Sequence, residues 1–308
     1  MPRLIYILKR IGYALISLAI LAFTVMVFTR ISGDPAAMLL EPGASAEDLA
    51  AMRSRLGLDQ PLPMQYLLYV ANALRGDLGT SIYYDAPALS LYFQRLPASL
   101  TLAGIAFAWS VALGVGTGIL CAVSRNKTIN TLVSLVALIG MSMPAFWVGM
   151  LMIIFFSVDL QLLPSSGSGT WQHLVMPALS LGWYFAASHM RLTRSAMLEV
   201  MGSDFVRLAR LKGLPQWRVI LRHALPGALI PVVTLSAINL VLMINAAVVI
   251  ETVFAWPGVG RLLYDGITIR DMPVIQAVVL ISGCMVVAVN FLVDLLYVLI
   301  DPRIRDAH

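Results

Sequence analysis

Residues 204–226 read Asp-Phe-Val-Arg-Leu-Ala-Arg-Leu-Lys-Gly-Leu-Pro-Gln-Trp-Arg-Val-Ile-Leu-Arg-His-Ala-Leu-Pro, a basic, helix-forming stretch that runs directly into a long apolar span. Ser203 or Asp204 stands where a helix needs an N-cap, and Val206, Ala209, Arg210 and Lys212 follow inside that helix. Gly213 allows the left-handed residue that stops it. Pro215 suits the first turn of a second helix, where its missing donor is harmless. There Trp217, Val219, Ile220 and Leu221 make an apolar stripe and Arg218 and Arg222 a charged one. The pattern predicts a short helix-turn-helix lying across a membrane face, one side to the bundle and the other to a partner. On physics alone, a helix pair that merely anchors the spans fits equally well.

The surrounding chain supplies the membrane. Of 308 residues, 59% are hydrophobic and 12% charged, about half the charged share of a soluble domain. Several continuous apolar runs reach the roughly 20 residues that cross a bilayer as a helix, unlike the short alternating segments of a barrel. The predicted fold class is therefore an all-α polytopic membrane protein. Its six spans lie at about 11–29, 99–123, 131–157, 174–190, 228–250 and 273–299. The fourth is the weakest, being short and carrying His189. Pro144 and Pro231 fall inside spans and are expected to kink them. Residues 1–28 resemble a signal peptide, but Thr29-Arg30-Ile31-Ser32-Gly33 offers no small-x-small cleavage pattern, so a retained first span is expected.

Orientation follows from charge. Fourteen of the 21 lysines and arginines fall in the segments on the side of the termini and seven on the other, which predicts both termini in the cytoplasm. The net charge of +5 is thus topological, and a nucleic-acid role is excluded. The expected organisation is residues 1–29 as the amino terminus and first span, 30–98 as an outer segment, and 99–308 as a five-span core with the loop 191–226. In the outer segment, Ser45 before Glu47-Asp48 starts a short helix that Gly57 ends, and 61–73 forms a second amphipathic piece. These lie on the outer face, cap a pore mouth, or simply pack as a lid.

Several features are set aside. Gly114 and Gly118, within Gly114-Val115-Gly116-Thr117-Gly118, lie inside the second span and serve close helix packing. The histidines at 173, 189, 223 and 308 form no metal-ligand cluster. Cys121 and Cys284 sit in apolar runs as small residues. No Gly-x-x-x-x-Gly-Lys-Ser/Thr occurs, so no P-loop for ATP is expected here. The expected catalytic set is empty and the chain is not expected to be an enzyme. Asn239, Asn245 and Asn290 fit either interhelical hydrogen bonding or a pathway lining, and Asp294 is expected to meet an arginine or water near the inner surface. Pro257-Gly258 and Gly260 fold the loop after Glu251 back on itself. Glu251 then either caps turn amides or lines a pathway, while Trp256 reads as an interface anchor.

The stretch 203–226 resembles the EAA coupling loop of ATP-binding-cassette importer permeases, specifically the dipeptide, oligopeptide and nickel class. Arg207-Leu208-Ala209 stands in place of Glu-Ala-Ala, and His223-Ala224-Leu225-Pro226 closes the motif. The class pattern Val-Arg-x-Ala-Arg-x-Lys-Gly is matched from Val206 to Gly213. Further matching motifs follow in order: Gly33-Asp34-Pro35-Ala36, Leu56 to Pro61, Gly76 to Ser81, Leu96 to Leu100, Glu251 to Phe254, Pro257 to Arg261, Asp271 to Gln276, and Asp301-Pro302-Arg303. Nearly the whole chain is covered, and the likeness is to the first permease subunit of dipeptide or glutathione importers.

The resemblance implies a non-catalytic transmembrane subunit forming half of a translocation pathway for di- or oligopeptides, with glutathione, nickel chelates or other small solutes as alternatives. It implies a second homologous permease, cytoplasmic ATPase subunits that bind ATP and magnesium, and an extracytoplasmic substrate-binding protein, all in a cell inner membrane. The rival classes are an ion-coupled secondary transporter, which would need paired intramembrane charges, and a membrane-embedded enzyme, whose His-Glu-x-x-His or Gly-x-Ser-x-Gly motif does not occur. Asp204, Arg207, Ala209, Arg210, Lys212, Gly213 and Leu214 are the expected ATPase-coupling residues. Glu251, Phe254, Asn239 and Asn245 are the expected pathway or outer-gate residues.

Overall fold

The computed structural model describes residues 2–31, 36, 45–55, 57–124 and 126–300. Expectations at Gly33-Asp34-Pro35, Leu56 and Asp301-Pro302-Arg303, and for the Asp294 side chain, lie outside what is described. The chain divides into two compact units, one built from Met1–Pro97 and Leu262–Asp294, the other from Ala98–Arg261.

The first unit opens with α1 (Pro2–Ile31). Next, α2 (Ala46–Arg55) is started as its sequence requires. The Asp48 amide donates to the Ser45 hydroxyl oxygen at 3.1 Å and the Ser45 amide to the Asp48 carboxylate at 3.1 Å, a reciprocal cap. These bonds hold the Asp48 carboxyl below the usual carboxylate range. Gly57, at φ +66°, ends the turn that follows. The next helix, α3 (Leu62–Leu74), carries no charged residue. A two-residue hairpin pairs β1 (Thr80–Ser81) with β2 (Ala86–Pro87). The Ser81 hydroxyl bonds the Asp271 carboxylate, and Gly79 lies close against the Pro273 ring. Two motifs nearly 200 residues apart therefore close one joint. Helix α11 (Met272–Ile300) starts there and meets α1 where the end of the Leu21 side chain lies over Gly283.

The second unit contains most of α4 (Ala88–Val123), which begins eleven residues before the expected span and holds Pro97 in its interior. Then come α5 (Lys127–Ser142) and α6 (Ala145–Met152), the latter continuing as a π-helical stretch, Ile153–Asp159. The expected third span is not a kinked helix. It is broken by 106° at Met143-Pro144, because Met143 is extended and Pro144 takes the N-cap position of the next helix.

Helix α7 (Gln172–Met201) is the centre of this unit, and α8 (Asp204–Leu211) follows it. A single long helix, α9 (Gln216–Val253), then leads to α10 (Val259–Ile269). Close packing of α4 on α7 uses Gly114 and Gly118: a Cβ on Gly114 would fall 2.6 Å from the Ala186 carbonyl, and one on Gly118 2.6 Å from Thr193. That is the small-residue packing their spacing implied.

Among the described residues, four helices are long and apolar enough to cross a membrane: Lys9–Phe28, Ala88–Val123, Gln216–Val253 and Met272–Val293. The bent pair α5–α6 would make a fifth. The expected count of six is not reached, because α7, which holds 174–190, falls short in hydropathy. Its position explains why. Thirteen of its residues are buried, among them Ser180, His189 and Thr193, and a helix lined by protein need not be apolar all round.

Candidate functional site

The coupling segment is built on a small apolar platform. Val206 and Ala209 on α8 pack with Ala196 and Met197 of α7 and with Val219, Ala224 and Ala228 of α9. Their spacing of three places both on one face of a helix. The opposite side presents Asp204, Arg207, Arg210 and Lys212 together with Phe205, Leu208 and Leu211, all exposed. Gly213 takes φ +73°, with nothing within 4 Å of where a Cβ would stand. This glycine serves the backbone angle alone.

Four local expectations change. Ser203 occupies the N-cap position without capping; its hydroxyl turns back to the Val200 carbonyl at 2.5 Å. Ala209 is 4% exposed and Leu214 packs on the same cluster. Both stand behind the charged surface rather than on it. Pro215 lies one residue before the helix, which runs unbroken from Gln216 to Val253 with a π-helical stretch at Val219–Ala224. The second helix of the pair is thus the first turns of a span. Of its expected apolar stripe, only Val219 and Ile220 turn inward; Trp217 and Leu221 are exposed, with the Arg218 guanidinium 5.2 Å from the Trp217 ring centre.

The outer turn has the opposite character. Glu251, 1% exposed, accepts hydrogen bonds from the amides of Gly260 (2.7 Å) and Arg261 (3.3 Å) and from the Ser99 hydroxyl. The Ser99 oxygen in turn accepts from the Val259 amide at 2.8 Å. A carboxylate therefore sits at the N-terminus of α10, where free amides and the helix dipole favour it. A Cβ on Gly258 would collide with that carboxylate, and one on Gly260 with the Val248 backbone. The Pro-Gly-Val-Gly-Arg run is spaced to let an acid in.

Phe254 is buried beside Gly149, and its carbonyl accepts from the Gly167 amide at 2.9 Å. Trp256 is not an interface anchor. It is buried, its indole N–H donating to the Ala98 carbonyl at 2.9 Å, because the tight turn at Ala255 (φ +51°) swings it into the bundle. The Leu96–Leu100 and Glu251–Arg261 motifs meet here through Ala98 and Ser99. The capping of turn amides by Glu251 is one of the two readings its sequence offered. The contacts to Ala98 and Ser99, known from sequence only as part of the Leu96–Leu100 motif, were not anticipated.

Asn239 and Asn245 separate. Asn239 is buried, its amide nitrogen 3.5 Å from His189 Nε2. His189 itself is wholly buried between the Phe185 carbonyl (2.7 Å, Nδ1) and the Ser236 hydroxyl (3.0 Å, Nε2), a polar joint between α7 and α9. Asn245 is exposed and back-bonds the Val241 carbonyl of its own helix at 3.2 Å. Among the described residues no His, Cys, Asp and Glu group is placed to hold a metal.

The chain is mostly helical, with several membrane-length helices and a charged helix-turn-helix running directly into one of them. The chain belongs to the family of binding-protein-dependent transport system inner membrane components, matched over residues 114–306, with the family's N-terminal region matched over 3–104. It is an importer permease subunit of the ATP-binding-cassette class. It is 41% identical over 301 residues to the glutathione transport system permease protein GsiC of Salmonella paratyphi A, covering 97% of this chain and 98% of that one. The same-named protein of Escherichia coli strain K12 is 40% identical over the same length. Among solved structures, the inward-facing MetNI methionine transporter matches with a TM-score of 0.58 at 21% identity, over 68% of this chain and 96% of that one. An amino acid transporter crystallised with histidines matches with a TM-score of 0.54 at 15% identity, over 67% and 92%.

Proposed function

We propose that this chain is the membrane subunit of an importer for short peptides, with glutathione, itself a tripeptide, as the first cargo to test. The observation that carries the reading is the 41% identity along 97% of the chain to permeases named for glutathione transport. The pathway forms between this chain and a second, homologous permease, and an extracytoplasmic binding protein delivers the cargo. Both termini lie in the cytoplasm, on the side of the lysine- and arginine-rich loops. Separate ATPase subunits bind ATP and magnesium and dock on Asp204, Arg207, Arg210 and Lys212.

ATP-driven closure of those subunits pushes α8. The Gly213 turn passes the push to Gln216, and from there a continuous helix carries it to Val253. A rigid element of that length converts a small inner displacement into rearrangement at the far end of the span. Glu251 and Phe254, in the outer turn at that end, hold it together through buried contacts, and the pathway alternates between its two faces.

The test is uptake of labelled glutathione and of a labelled dipeptide by cells with and without the gene. Uptake of glutathione that disappears with the gene and competes poorly with dipeptides supports the glutathione reading. Dipeptide uptake alone assigns the broader peptide class, and loss of neither removes the cargo assignment.

A further inference from the structure

We infer that α3 is embedded among lipid acyl chains, in the leaflet far from the amino terminus, rather than forming a water-exposed cap. This rests on the chain being membrane-spanning and not on the identity of the cargo. The Tyr66 hydroxyl donates to the Ala19 carbonyl of α1 at 2.9 Å, and the Tyr66 ring meets Phe23 edge-on at 5.8 Å between centroids. Ala19 lies near the middle of the uncharged stretch of α1 between Arg10 and Arg30, about 14 Å from the first and about 17 Å from the second at a helical rise of roughly 1.5 Å per residue. A hydrocarbon layer of about 30 Å puts Ala19 near its midplane. A tyrosine side chain bridges only a few ångströms, so the body of α3 lies well inside the membrane.

The sequence of α3 agrees. From Leu62 to Leu74 it has no charge, and Asp59 and Arg75 bracket it. At 13 residues it is too short to cross, the length of a re-entrant or interfacial segment. Leu62, Met64, Leu67, Leu68 and Leu74 are all exposed, Leu67 at 61%. In water that surface would be an exposed apolar patch, whereas against acyl chains it costs nothing. Its polar Gln65 is turned inward and donates to the Leu58 carbonyl at 3.0 Å.

The test places p-benzoylphenylalanine at Leu67 in the full-length chain in living cells and identifies photoadducts by mass spectrometry. Leu15, exposed on α1, is the lipid-facing control, and Ser54, exposed on α2, the aqueous one. A phospholipid adduct at Leu67 comparable to that at Leu15, and several-fold above that at Ser54, is expected. An adduct with another protein chain would show that a partner subunit covers the face and overturns the proposal. Lipid adducts no more frequent than at Ser54 would return α3 to the aqueous cap and overturn it equally. Tyr66→Phe, which keeps the ring and removes the bond to Ala19, is expected to reduce the lipid adduct at Leu67. An unchanged yield would mean that this bond does not set the depth of α3, and would overturn the depth argument.

Discussion

The two turns that flank the long helix α9 both rely on glycine, for opposite reasons. At the inner end, Gly213 stands in open space and is needed only for its left-handed φ. At the outer end, Gly258 and Gly260 are needed for room, since a methyl on either would strike Glu251 or the Val248 backbone. One turn is a backbone hinge under an exposed charged face. The other is a packed plug around a buried carboxylate. Identical residue types in two motifs of one chain therefore carry different physics, and substitution separates them.

The largest effect is expected from Glu251→Ala. It strips the acceptor from the amides of Gly260 and Arg261, and each buried donor left unpaired costs about 1–3 kcal/mol. The amount of monodisperse protein extracted from membranes, followed by fluorescence-detected size exclusion, should fall several-fold, whereas Glu251→Gln, which keeps one acceptor oxygen, should lose much less. Equal loss for both would mean that charge, not the hydrogen-bond count, matters at this site.

Gly260→Ala comes next. Overpacking against backbone is expected to cost about 1–3 kcal/mol, read as a lower unfolding temperature in detergent. Gly213→Ala should cost only about 1 kcal/mol, the price of a left-handed non-glycine residue. If Gly213→Ala proves the more damaging of the two, the open-hinge description is wrong.

Gly213→Leu and Gly213→Pro sharpen the contrast functionally. Both should leave the chain inserted at near-normal levels. Gly213→Pro, whose ring cannot take a positive φ, should abolish cargo uptake because the turn between α8 and α9 is lost, and Gly213→Leu, which strains the same angle, should reduce it. Normal uptake in either variant would remove the hinge from the mechanism. The smallest effect on stability, within about 0.5 kcal/mol for exposed sites, is expected from reversing Arg207, Arg210 and Lys212 to glutamate. The same triple change should release the ATPase subunits during purification, and full retention would assign that contact to Phe205, Leu208 and Leu211 instead.

How far the sequence revealed this depended on how local the determinant was. The left-handed turn at Gly213 and the Ser45–Asp48 cap were readable because their partners lie within three residues. The glycine packing at Gly114 and Gly118 was readable because helical spacing implies a face. For Glu251 the turn amides of Gly260 and Arg261 were readable, being within ten residues, but Ser99 was not, since it lies over 150 residues away and only folding brings it there. Trp256 was misplaced because aromatic residues near a span end usually sit at the interface, and nothing local announced the inward swing at Ala255. Pro144 was read as a kink because a proline inside an apolar run does not say whether the helix bends or ends. The polar joint of His189, Ser236 and Asn239 was hidden for a related reason: a histidine in a span reads as a weakness until its partners on another helix are known.

The most direct test of the coupling mechanism is a crosslink from Leu211→Cys, the residue of the α8 face that is 80% exposed. It would be made in a chain whose Cys121 and Cys284 are replaced by serine and purified with its associated subunits. A crosslink to an ATPase subunit whose yield changes between the nucleotide-free and ATP-bound states is the expected result. No adduct to any ATPase, in a preparation that still imports cargo on ATP addition, would contradict the claim that this loop receives the push.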